Sequence, residues 1–253
     1  IMIGESYAQA CQLPLDPVFE VYDRVAVLYV KGKWLKQAQE ELANYKALTE
    51  ATLDAVNKRF SGNIKARTLT LGGELAMSML MDYILKSHAL DSCSLSMENW
   101  PIVTDDNFED ALPNYELSKK RLHTLIEPLE EGKVVLLAGF LGVTADGLET
   151  ILGRGGSDLT AVFASCLLKD VYATKTLLYK DVPVQSADPK VVRGQKTEHV
   201  KALTYNEAHK ASMMGMKIVQ SPAIAMARRF GQPLIVVPID EPKMYSVIES
   251  EAA

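Results

Sequence analysis

Cysteine is scarce in this chain, with three residues among 253, at positions 11, 93 and 166. An odd, scattered set without metal-ligand spacing excludes a disulfide framework and a thiolate metal centre. It points to reduced thiols in a cytoplasmic protein. No apolar run approaches the roughly 20 residues that span a bilayer, and no charged n-region precedes an apolar h-region, so no secretion signal is expected. Positive charge is not in excess. The net charge of −5 argues against nucleic acid and anionic membrane surfaces as partners. Histidine is also sparse. His88, His123, His199 and His209 have no companion at ligand or triad spacing, which leaves them as surface or internally satisfied residues and no metal site. Repeats, low-complexity tracts and Pro/Ser linkers are absent, which favours one compact unit.

What is present is a near-even mixture of apolar and polar residues, 48% hydrophobic, enough for a sizeable core. The apolar run Val25–Val30 has strand length and closes on Lys31-Gly32-Lys33. From Trp34 to Phe60 the apolar positions recur at helical spacing. A second strand is expected over Arg67–Leu71, leading through Gly72-Gly73 into a helix over Glu74–Lys86. Leu117–Leu129 reads as a helix and Val134–Phe140 as a buried strand. Leu141–Thr150 reads as a hairpin turning on Asp146-Gly147. A helix over Ser157–Lys169 and a strand over Ala173–Tyr179 follow. Thr204-x-x-Glu207 is a capping box for the next helix. Ser221-Pro222 opens another helix, which Gly231 ends, and Leu234–Ile239 is an apolar strand. Alternating strands and helices with apolar strands predict an α/β fold with a mostly parallel sheet covered on both faces. Ligands in such sheets sit at the carboxyl ends of strands.

The most informative segment is Leu152-Gly153-Arg154-Gly155-Gly156-Ser157-Asp158. It places an arginine, bare amides and a carboxylate in one turn at a helix start. A helix N-terminus suits an anion, and the Arg154 guanidinium is a forked donor matched to a carboxylate. Taken alone, the turn is equally a charged glycine connection. Gly72-Gly73-Glu74 similarly offers a carboxylate to a ligand, or only a favourable contact with a helix dipole. Lys180-Asp181-Val182-Pro183 and Ala187-Asp188-Pro189-Lys190 have turn composition, and Lys217 follows a helix C-terminus.

From Gly72 to about Pro242, the order of these segments resembles the kinase domain of aspartate kinases, in the amino acid kinase superfamily. The matching segments are Gly72-Gly73-Glu74-Leu75, Gly139-Phe140-Leu141-Gly142, Thr150-Ile151-Leu152 with Gly-Arg-Gly-Gly-Ser-Asp, Asp181-Val182-Pro183, the stretch from Ala187 to Val192, that from Leu203 to Ala208, and Gly215-Met216-Lys217. The resemblance implies a three-layer α/β/α sandwich with a central, mainly parallel sheet. It also implies phosphoryl transfer from ATP, with Mg²⁺, to the side-chain carboxylate of L-aspartate, in lysine, threonine and methionine biosynthesis. It places Arg154 on the α-carboxylate of aspartate, with Gly155, Gly156 and Ser157 beside it, and Glu74 on the α-amino group. Asp158 would orient donors at the transferring phosphoryl group. Lys180, Asp181, Asp188, Lys190 and Lys217 would hold the nucleotide. The chain is expected to be a single kinase domain over residues 1–253, with a substrate-side lobe over 1–130, a nucleotide-side lobe over 131–253 and no C-terminal regulatory domain. It is expected to be a homodimer or to pair with a kinase subunit.

The sequence departs from the family at its start. The family opens with Lys-Phe-Gly-Gly-Thr-Ser, and the equivalent here is Met2-Ile3-Gly4-Glu5-Ser6, with methionine in place of the lysine that neutralises phosphate. Lys31-Gly32-Lys33 stands where the family has a Ser-Ala segment, Lys190 where arginine is usual, and Gln185 where tyrosine is common. Ser221-Pro222 replaces His-Pro. Three readings follow. The chain is an aspartate kinase in which Lys31 or Lys33 replaces the missing lysine; or it is a catalytically impaired paralogue that binds aspartate or nucleotide as a regulatory subunit; or it is a kinase for another amino acid.

Overall fold

The computed structural model describes residues 15–56, 62–187, 197–216 and 218–250. Met2, Glu5, Cys11, Asp188, Lys190 and Lys217 lie outside them. The chain divides into two units, Ile1–Arg154 and Gly155–Ala253.

The first unit begins with two helices, α1 (Asp16–Tyr29) and α2 (Lys33–Val56). Residues Val25–Val30, expected as a strand, lie in α1 and its C-cap. The apolar run is short, whereas Phe19, Tyr22, Ala26 and Val30 follow a helical period that starts upstream at Pro17. Ala26, Val30, Ala38, Leu42, Met79 and Leu80 form one core cluster, with Tyr22, Val25 and Trp34 packed against it. Val27 and Leu28, which a buried strand would hide, are 56% and 72% exposed. Lys31-Gly32-Lys33 is therefore a helix–helix connection and not a strand end.

Residues Arg67–Leu71 are likewise not a strand. They belong to α3 (Gly62–Thr70), followed by a turn of π-helix, Leu71–Leu75, and by α4 (Ala76–Ser87). The alternating Thr/Leu pattern is read as strand because β-branched residues favour it. Here Thr70 satisfies its hydroxyl by donating back to the Ala66 carbonyl at 3.1 Å, a standard helical solution for threonine. Ala66, Thr70 and Leu71 are buried on one side of the helix.

The remainder of this unit contains β1 (Ser92–Ser94), α5 (Tyr115–Lys119), α6 (His123–Glu130), β2 (Val134–Leu136), β3 (Leu141–Val143) and β4 (Glu149–Ile151). The helix expected over Leu117–Leu129 is thus divided into α5 and α6. The strand expected over Val134–Phe140 stops at Leu136 and pairs in parallel with β1. Strands β3 and β4 form the expected hairpin, with Leu141 opposite Ile151 and Gly147 at φ +82° in its turn.

The second unit contains α7 (Gly156–Leu168), β5 (Thr176–Lys180), β6 (Ala202–Thr204), α8 (Tyr205–Met213), α9 (Ser221–Phe230), β7 (Leu234–Pro238) and β8 (Ser246–Glu249). Its sheet has the order β5-β7-β8-β6, parallel at both edges and antiparallel between β7 and β8. The α/β class and parallel pairing hold, with the described strands shared among three sheets. Local end signals behave as the sequence predicts. Thr204 and Glu207 form the reciprocal capping box of α8, and Gly231 ends α9 in the left-handed conformation. Lys169 adds its ammonium to the exposed carbonyls of Phe230 and Gly231, at 2.7 and 2.9 Å, as cations do at helix C-termini. Among the described residues, no helix is long and apolar enough to cross a membrane.

Candidate active site

The turn into α7 is built on two glycines in the left-handed region, Gly153 at φ +66° and Gly155 at φ +77°. A side chain at Gly153 would strike Asp110, and one at Gly155 would strike Gln220. Between them lies Arg154, the last residue of the first unit. It is exposed and joined to no ion-pair partner among the described residues. An arginine left free in a turn closed on both sides presents its fork to solvent, available to a carboxylate.

Gly155, Gly156 and Ser157 begin the second unit, with Gly156 buried and Ser157 exposed. Asp158 lies in the first turn of α7, where a carboxylate complements the helix dipole. Its Oδ1 accepts a hydrogen bond from Lys180 Nζ at 2.6 Å, and its Oδ2 accepts from the Gln220 backbone N–H at 3.2 Å. Three element ends therefore meet on one carboxylate: the start of α7, the last residue of β5, and the residue that caps α9. Asp181 follows Lys180 and is exposed.

In the first unit, Glu74 sits within the π turn, in a continuous helical run and not directly after a strand. Turns of this kind concentrate at functional sites. Glu74 is half-buried, and desolvation raises its pKa above the usual carboxylate value. The Tyr22 hydroxyl donates to the neighbouring Gly72 carbonyl at 2.9 Å. Burial raises the pKa of Tyr22 too, with the charge of Glu74 adding to it. Lys31 and Lys33 are both exposed, and the Lys33 ammonium lies 4.8 Å from the Trp34 ring centroid.

Three features of these neighbourhoods escaped the sequence reading. Phe140 has φ +77°, a backbone state that costs a non-glycine residue about 1–3 kcal/mol and gathers at functional sites. Its carbonyl accepts from the Leu152 N–H at 2.9 Å, just ahead of Gly153 and Arg154. Asp110 lies against Gly153, and Gln220 closes on Asp158. The Gly139-Phe140 motif was visible in sequence, but nothing local marked Phe140 as strained. Three histidines have hydrogen-bond partners: His209 meets the Ser221 hydroxyl at 2.9 Å, His199 meets Ser246 at 3.3 Å, and His88 meets the Ile84 carbonyl at 2.9 Å; His123 is exposed.

Comparison with known proteins adds an independent line. A sequence profile described as the amino acid kinase family matches residues 16–238. Aspartokinase 2 of Bacillus subtilis (strain 168) is 36% identical over 130 residues, 51% of this chain and 31% of that protein. The aspartokinase of Chlamydia muridarum (strain MoPn / Nigg) is 31% identical over 173 residues, 68% of this chain and 38% of that one. The aspartokinase of Helicobacter pylori (strain ATCC 700392 / 26695) is 31% identical over 182 residues, 70% and 43% of the two chains. The matched region thus spans less than half the length of these relatives. Among solved structures, E. coli aspartokinase III in complex with aspartate and ADP superposes with a TM-score of 0.82 at 21% identity, over 94% of this chain and 52% of that one. This likeness establishes the fold.

Proposed function

This chain belongs to the amino acid kinase family, and we propose that it transfers the γ-phosphoryl group of ATP to the side-chain carboxylate of L-aspartate, giving 4-phospho-L-aspartate and ADP. The relatives named as aspartokinases support the substrate. Arg154, exposed and without an ion pair among the described residues, is the observation that carries the reading. Its fork holds the α-carboxylate of aspartate, and Glu74 receives the α-ammonium group. An ammonium partner favours the ionised carboxylate and offsets the burial that now raises the Glu74 pKa.

Lys180 and Asp181 lie on the nucleotide side, together with Asp188, Lys190 and Lys217 outside the described residues. Mg²⁺ supplies charge neutralisation between the phosphates when bound. It takes most of its ligands from phosphate and water and needs one or two protein carboxylates. Asp181 fits that need, and no group of three metal-ligating residues occurs among the described residues. Transfer of this kind asks the protein for positioning and counter-charge and for little covalent chemistry.

The test is ADP release coupled to a spectroscopic readout, with L-aspartate beside L-glutamate and N-acetyl-L-glutamate. Turnover should require L-aspartate. In calorimetry, Arg154→Ala should weaken aspartate by at least about tenfold, the value of a charge-assisted hydrogen bond, while ATP affinity stays nearly unchanged. Turnover with another acceptor, or equal loss of both ligands, would refute the assignment.

A further inference from the structure

We propose that Lys180 is the cation that neutralises the transferring phosphoryl group, and that Asp158 is the residue that positions it. The inference rests on the phosphotransferase reading above. It places in the second unit the fixed counter-charge that a transferring phosphoryl group needs. Lys31 lies in the connection between α1 and α2 of the first unit, and Lys33 opens α2 with its ammonium already over an indole ring. Lys180 ends a strand of a parallel pair, the edge at which ligands of such sheets sit.

Its placement is tightly held. The Lys180 carbonyl accepts from the Ile239 N–H at 2.9 Å, which ties the backbone to the chain following β7. The ammonium is held 2.6 Å from Asp158 Oδ1, with side-chain exposures of 30% for Lys180 and 13% for Asp158. Asp158 cannot swing away freely, because its second oxygen is engaged by the Gln220 N–H. An ammonium has three donors. Asp158 takes one, and among the described residues no second acceptor meets the ammonium, so two donors are left for an anion.

The charge balance favours that use. Asp158 offsets one positive charge, but the N-termini of α7 and α9, which also meet it, each carry about half a positive charge. Lys180, Asp158 and the two helix N-termini together keep an excess of about one positive charge, with the exposed carboxylate of Asp181 beside them left for the metal ion. A salt bridge serving only to pin β5 to α7 would require no such excess. In the transfer, an aspartate carboxylate oxygen bonds to the γ-phosphorus as the bond from that phosphorus to the β–γ bridging oxygen breaks. ADP leaves with the electron pair. Lys180 stays protonated throughout and gives charge, not a proton, to the phosphoryl oxygens.

The test compares Lys180→Gln and Lys180→Arg with the unaltered chain by calorimetry with ATP and ADP and by steady-state kinetics. Glutamine keeps a hydrogen bond to Asp158 and removes only the charge, and melting curves check folding. The proposal expects Lys180→Gln to cut the preference for ATP over ADP by at least tenfold, because Lys180 meets only the γ-phosphoryl group. It also expects kcat to fall on the order of 10²–10³-fold, the cost of losing one preorganised donor to developing charge, with KM for aspartate within about twofold. Lys180→Arg should restore most of the ATP preference. Asp158→Asn, which removes the carboxylate charge that fixes the cation, should lower kcat more than it raises KM for ATP. An unchanged ATP/ADP ratio in folded Lys180→Gln, or a chain that binds no ATP, overturns the proposal. If the unaltered chain ignores aspartate but Lys180→Gln still erases the ATP preference, the substrate reading fails and the role of Lys180 stands.

Discussion

Substituting Gly155 by alanine probes how the turn into α7 is built. Gly155 holds φ +77°, where a Cβ costs about 1–2 kcal/mol. That Cβ would also fall on the Gln220 side chain. Gln220 must then move, and its backbone N–H is the group that donates to Asp158 Oδ2. A hydrogen bond to a charged group is worth about 1.5–3 kcal/mol. Alanine restricts the unfolded chain and returns about 0.4–1 kcal/mol. The net expectation is a loss of about 2–4 kcal/mol. In a chain of this size that lowers the melting temperature by about 4–16 °C. Differential scanning calorimetry and urea midpoints would measure it. Adding Gln220→Gly removes the obstructing side chain, so the double variant should be more stable than additivity predicts, by at least about 0.5 kcal/mol. A Gly155→Ala variant within about 0.5 kcal/mol of the parent would refute this account of the turn, as would a cycle with no coupling.

Two further expectations follow from buried titratable groups. Because burial raises the folded-state pKa of Glu74, the folded chain binds more protons than the unfolded one just above the ordinary carboxylate value. Its contribution to stability is therefore present at low pH and lost as pH rises through the raised value. Urea titrations at pH 4 and 7 should show Glu74→Gln gaining stability relative to the parent at the higher pH, and aspartate affinity of the parent should rise across the same window. No pH dependence in the difference would contradict the assignment. The Cys166 thiol is buried in α7, and desolvation pushes its pKa up to about 11, so it should be inert to thiol reagents in the folded chain at pH 8. Native labelling of Cys166→Ser should match the parent, with one equivalent lost only after unfolding; a difference in native labelling would show that α7 opens there.

The sequence was most legible where structure depends on neighbours within a few residues. The Thr204–Glu207 capping box, Gly231 at the end of α9 and the Asp146-Gly147 turn each occur as expected, because the groups involved lie on one short segment. The π turn at Gly72-Gly73-Glu74 and the strain at Phe140 were not legible. A helix can absorb an extra residue, and a phenylalanine can be forced to positive φ, only where packing elsewhere compensates.

The sequence by itself determined the motif set, the amino acid kinase resemblance and the candidacy of Arg154, Glu74 and Asp158. These rest on residue types whose chemistry is fixed whatever surrounds them. Tertiary structure alone decided that Val25–Val30 and Arg67–Leu71 are helical. A short β-branched run is compatible with either state, and burial against α2 and α4 selects the one that hides Ala26, Val30 and Leu71. It also decided that Asp158 meets Lys180 and the Gln220 backbone. Those groups are 22 and 62 residues away in the chain, and a carboxylate's partner over such distances is chosen by how helices and strands pack, which no local pattern records.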